Sequence, residues 1–114
     1  MAIERHGTTQ RYSDICAYGN TIYLVETPQT LDSNVATQTR EVLAGIEKLL
    51  EQAGSDKSRL LMVTIYLRDI DDAIAVNAVW DRWVPLASAP VRVCVEARMA
   101  HHDFLIEIAV VAAR

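Results

Sequence analysis

The stretch Ala89-Pro90-Val91-Arg92-Val93-Cys94-Val95-Glu96 organises the reading of this chain. It opens with a proline after a small, flexible run and then alternates. Arg92, Cys94 and Glu96 fall on one face, and Val91, Val93, Val95 and Ala97 on the other. Period two predicts a strand. One face is purely apolar; the other carries a fixed cation beside a thiol. A guanidinium is planar, stays charged and matches two carboxylate oxygens at once. The pattern predicts a small-molecule site with Arg92 at its base.

Outward from that strand, the punctuation is clear. Phe104 to Ala113 predicts a last strand, with Leu105, Glu107, Ala109 and Val111 on one face and Ile106, Ile108, Val110 and Ala112 on the other. Met99 to Asp103 is a turn. Upstream, Pro85 ends a helix over Ala73 to Val84, with Ile74, Ala78 and Trp83 turned inward. Before it, Leu60 to Arg68 is almost continuously apolar and β-branched, which predicts a strand buried on both faces. Asn34 to Ala53 repeats apolar residues at helical spacing, capped by Asp32 or Ser33 and stopped by Gly54. Two β-prone runs, Tyr12 to Tyr18 and Thr21 to Glu26, flank Gly19-Asn20 as a hairpin. Ile3 to His6 is a short edge strand. Apart from this edge strand the order is β-β-α-β-α-β-β, one α/β (α+β) domain over residues 1–114 with two helices on one face of a mixed sheet. Local pairing alone would join the last two strands as a hairpin. The open sheet face is apolar enough to predict an oligomer.

Composition sets limits. With 114 residues, 51% apolar, 23% charged and a net charge of -4, the chain has the profile of a globular protein without a basic surface for nucleic acid. No apolar run approaches a membrane span, and the N-terminus has no signal-like core. Cys16 and Cys94 lie far apart with no metal-ligand spacing, which predicts free thiols and a cytoplasmic location. His6, His101 and His102 lack a spaced third ligand, so no metal site is expected.

The chain resembles the RidA/YjgF family of enamine/imine deaminases, most closely its short YoaB-like members. The resemblance rests on Gln38-Thr39-Arg40-Glu41-Val42-Leu43-Ala44-Gly45-Ile46-Glu47, Ala53-Gly54-Ser55-Asp56, Val76-Asn77-Ala78-Val79-Trp80-Asp81, Ala89-Pro90-Val91-Arg92 and Ile106-Glu107-Ile108. It implies a chorismate-mutase-like fold assembled as a homotrimer, with sheets lining a central barrel and sites in the clefts between subunits. It moves the last strand between the two strands that precede the helices. It implies hydrolysis of 2-imino acids, or their enamine tautomers, to 2-oxo acids and ammonia, with no cofactor.

In that family Arg92 matches the substrate-carboxylate clamp, and Glu107 the acid that holds a water and handles protons. Taken by itself, Glu107 is a lone carboxylate in an apolar strand, either paired or functionally tuned. Cys94, Tyr12 and Asn77 match positions in or near the pocket. Each also has an ordinary structural reading, as a buried thiol, a strand-start aromatic and a helix-surface amide. Glu26 departs from the pattern, because the deaminases place a glycine there with its backbone against the substrate. A carboxylate at that point narrows the pocket, pairs with Arg92, or selects a substrate bearing an amine. The alternative to an enzyme is a binding module of the same architecture, for a small carboxylate or an amino-bearing metabolite. RNA-directed or chaperone activity, a third reading in this family, fits the acidic balance least.

Overall fold

Gly19-Asn20 makes the first reversal, with Gly19 at φ 62, a left-handed conformation that glycine adopts without a Cβ clash. The computed structural model describes all 114 residues. The turn joins β2 (Ile15–Tyr18) to β3 (Thr21–Glu26), and β1 (Ile3–His6) pairs with the outer side of β2. Tyr12 to Asp14, expected in the first hairpin strand, instead form part of the β1–β2 loop. Asp14 N donates to His6 O there (2.8 Å) and closes it.

Helix α1 (Val35–Gln52) follows, then β4 (Leu60–Leu67), α2 (Ala73–Trp83), β5 (Val91–Glu96) and β6 (Ile106–Ala113). The cap of α1 is Asn34, not Asp32 or Ser33. Its side chain accepts from Thr37 N at 2.8 Å, while Ser33 turns back to donate to Thr30 O. Gly54, at φ 82, follows the C-cap Ala53 as expected. β6 starts two residues later than expected, because Asp103 O and Leu105 N are both committed to the Gln38 side chain.

The sheet order is β1-β2-β3-β6-β4-β5, antiparallel throughout except for β4 and β5, which α2 connects in parallel. The last two strands therefore do not form a hairpin. β6 lies between β3 and β4, the position implied by the family resemblance. Its length and apolar faces suit a strand hydrogen-bonded on both sides. Charged β5 takes the edge, where side-chain charge discourages further pairing.

Both helices cover one face. Ile15, Ile22, Leu24, Val63, Ile65, Leu67, Ile106 and Ile108 meet Val42, Leu43, Ile46 and Leu50 of α1 and Val76 and Trp80 of α2 in a single core. α2 thus turns Val76 and Trp80 inward. Ile74, expected inside, is 84% exposed, and Ala78 is exposed as well. β4 is not buried on both faces within the chain: Val63, Ile65 and Leu67 lie under the helices, while Met62, Thr64 and Tyr66 look out from the uncovered face. That face also carries Tyr23 and Val25, each 50% exposed, and Val91, 66% exposed.

Candidate functional site

Arg92 stands beside Val63 in the β4–β5 register, and Val63 is fully buried beneath the helices. Arg92 therefore leaves the sheet on the helix side. Its guanidinium carbon lies 5.4 Å from the centre of the Trp80 ring, within cation–π range. The Trp80 ring in turn tilts against Trp83, with centres 5.5 Å apart. Arg92 is exposed and makes no ion pair within the chain. An arginine oriented by an indole and left without a carboxylate has its fork open to an anion.

Cys94 sits beside Ile65 on the same side, half-buried and free. Asn77 lies one turn before Trp80 on α2 and is half-buried. Arg92 and Cys94 thus share the helix side of the β5 edge, and Asn77 stands on α2, the helix whose Trp80 ring meets Arg92.

Glu107 is elsewhere. It pairs across β6–β4 with Tyr66, on the uncovered face. It has no ion-pair partner, and partial burial pushes its carboxyl above the usual range. Arg92 is level with Val110 through Val63, three residues along β6 from Glu107 and two strands away. That is about 10 Å along the strands and about 10 Å across them, on opposite faces. Tyr12 lies in the β1–β2 loop, 64% exposed, its carbonyl accepting from Thr9 N at 2.7 Å.

Glu26 faces α1, on the side shared with Ile22 and Leu24. Its carboxylate fills the space beside Gly45, where any Cβ would collide with it. Thr27 N donates to it at 3.1 Å. Burial raises its carboxyl, with that hydrogen bond opposing. β6 and β4 separate it from Arg92, so the two do not pair within one chain.

Two contributors escaped the sequence reading. Trp80 orients the arginine, although sequence treats it as packing; no local pattern links residues 80 and 92. Gln38 is fully buried and ties α1 to the segment before β6, accepting from Leu105 N at 2.8 Å and donating to Asp103 O at 3.1 Å. A polar residue on the apolar stripe of a helix was its only signal. No group of three His, Cys, Asp or Glu side chains gathers to hold a metal.

The family model described as "Endoribonuclease L-PSP" matches residues 3–114. The RutC family protein YoaB of Escherichia coli K12 is 41% identical over 113 residues, covering 99% of each chain. The chain belongs to the RidA/YjgF family. A RutC family protein of Haemophilus influenzae is 38% identical over 98% of each chain. The crystal structure of a YjgF-family member from Neisseria meningitidis superposes with TM-score 0.96 at 41% identity, covering 100% of this chain and 96% of that one. A Pseudomonas aeruginosa protein gives TM-score 0.96 at 35% identity over 99% of each chain. Membership accounts for the β6 insertion and the two helices on one face. No helix of this RidA/YjgF-family chain is long and apolar enough to cross a membrane.

Proposed function

We propose that this protein is a deaminase that hydrolyses 2-imino acids, or their enamine tautomers, to 2-oxo acids and ammonia, in sites completed between the subunits of a homotrimer. The observation that carries this reading is the placement of Arg92 and Glu107. One is an unpaired cation at the β5 edge, the other an unpaired carboxylate with a raised pKa, and they lie on opposite faces of the sheet. No small substrate reaches both within one chain, whereas a neighbouring copy packed on the uncovered apolar face brings its own Glu107 toward Arg92.

In that site Arg92 takes the substrate carboxylate in a bidentate grip. Glu107 accepts a proton from a water as that water adds to the carbon of the protonated imine, giving a neutral carbinolamine. Glu107 returns this proton to nitrogen, and as the C–N bond breaks and ammonia leaves, the hydroxyl proton passes to Glu107 and the carbonyl forms. Cys94 and Asn77 line the clamp side. Tyr12 and the Glu26 segment come from the neighbouring copy. Reaction and residues need no cofactor, and two unpaired cysteines suit the cytoplasm.

The second reading is a binding module, and Glu26 favours it. A carboxylate stands where the deaminase pattern has a glycine, and it has no cation partner in the chain, which suits a ligand bearing an amine. Nuclease activity, named in the family description, has less support, because the chain carries a net charge of -4.

The test generates 2-iminobutanoate in situ with an amino-acid oxidase and follows its loss. The expected result is acceleration by the wild type. Arg92→Ala should lower kcat/KM by about 10- to 100-fold, the worth of a charge-assisted hydrogen-bond pair. A wild type that leaves the imine lifetime unchanged overturns the enzyme reading.

A further inference from the structure

We infer that a second binding site lies in the groove between α1 and α2, and that it takes a small organic anion with an apolar body. The groove has a volume of about 310 Å³, at the small end of ligand pockets. Leu43, Val79 and Trp83 give it apolar walls, and Arg40, Lys57 and Arg82 bring three cations to it. Its single carboxylate, Glu47, is already engaged by Lys57 at 3.1 Å. Arg40 reaches only the Thr37 hydroxyl, at 3.2 Å, and Arg82 has no ion-pair partner.

That charge balance runs against the chain. A protein of net charge -4 has more carboxylates than cations to distribute. Yet three cations line this groove against one carboxylate, Glu47, and that one is taken by Lys57, so Arg40 and Arg82 have no carboxylate partner. Cations left without partners on one groove give it a local positive potential that attracts an anion. The apolar walls favour a ligand with a hydrocarbon or aromatic body over a bare inorganic ion. The Trp83 ring lines the groove, and its indole N–H, which has no acceptor in the chain, reports on changes there.

The groove is separate from the Arg92 site but touches it through aromatic rings. The Lys57 ammonium lies 5.5 Å from the Trp83 ring centre, Trp83 is 5.5 Å from Trp80, and Trp80 carries Arg92 on its ring at 5.4 Å. The inference does not depend on the deaminase reading.

The two tryptophans supply the test. In the full-length ¹⁵N-labelled protein they give two indole N–H signals, assigned with Trp80→Phe and Trp83→Phe. 3-Phenylpropanoate is titrated against neutral 3-phenylpropan-1-ol. The expected result is a saturable shift of the Trp83 signal with Kd of about 1 mM or tighter. The affinity should fall at least about tenfold for the alcohol, for the Arg40→Glu/Arg82→Glu variant and for Ala44→Leu, which fills the groove without changing charge. It should persist in Arg92→Ala. Absence of saturation by about 10 mM, equal affinity for the alcohol, or loss of the Trp83 response in Arg92→Ala would each overturn the site. Imine hydrolysis by Arg40→Glu/Arg82→Glu should stay at the wild-type rate, so failure of the groove and failure of the deaminase reading appear in different assays.

Discussion

Arg92 and Glu107 leave the same sheet on opposite faces, the first over the Trp80 ring and the second beside Tyr66. If both serve one substrate, two copies must supply them. Mixing two impaired variants tests this. Arg92→Ala and Glu107→Gln should each be impaired alone, Arg92→Ala by about 10- to 100-fold in kcat/KM. Co-refolded in equal amounts, they should recover about a quarter of wild-type sites, the random frequency with which an intact arginine meets an intact glutamate around a closed ring. A mixture no more active than the average of its components would show that the two residues do not share an intersubunit site.

Gln38 should matter to stability more than its chemistry suggests. Gln38→Leu keeps the apolar volume but strands Leu105 N and Asp103 O. Unpaired buried backbone groups cost about 1–3 kcal/mol each. Urea denaturation should show a combined loss of at least about 2 kcal/mol for the two groups, with the m-value unchanged. A loss below about 0.5 kcal/mol would mean that the loop before β6 repairs its own hydrogen bonds.

Gly45 and Glu26 should be energetically coupled. A helix gains about 1 kcal/mol from Gly→Ala at an interior position, but here the new methyl collides with the Glu26 carboxylate. Gly45→Ala alone should realise little of that gain. In a Glu26→Ala background it should realise most of it, giving a coupling of at least about 0.5 kcal/mol in a double-mutant cycle. Additive effects would show that Glu26 swings aside freely.

The pH dependence of stability follows from the two raised carboxyls. Burial lifts both Glu26 and Glu107 above 4.5. Between the unfolded and folded values the native state binds more protons, so stability falls as pH rises through that window. Glu107→Gln removes one ionisation that burial disfavours. It should raise Tm at pH 7 and leave it nearly unchanged at pH 4, where the wild-type group is protonated in the folded state. An equal change at both pH values would assign the effect to packing instead.

Local signals were the legible ones. Gly19-Asn20 and Gly54 fixed their turns, and the long amphipathic repeat of α1 fixed its buried face, because each pattern acts within a few residues. α2 was harder. Its run Ala73-Ile74-Ala75-Val76 is apolar on every side, so a face through Ile74 and Ala78 read as well as the one through Val76 and Trp80 that the fold buries. β4 reads as buried on both faces because its apolar run is continuous, yet in the chain only alternate residues are covered. Trp80 and Arg92 are brought together by the β4–α2–β5 crossover, and no spacing announces their contact.

The sequence by itself determined the order of elements, most of their limits, the alternation of Arg92 and Cys94 on one strand face, and the family. A period of two sorts residues into two faces, but does not say which face the helices cover. Only the tertiary structure decided that Arg92 lies on the helix side and Glu107 on the uncovered side. That choice depends on the register of β5 against β4 and of β6 between β3 and β4, which are contacts between segments distant along the chain.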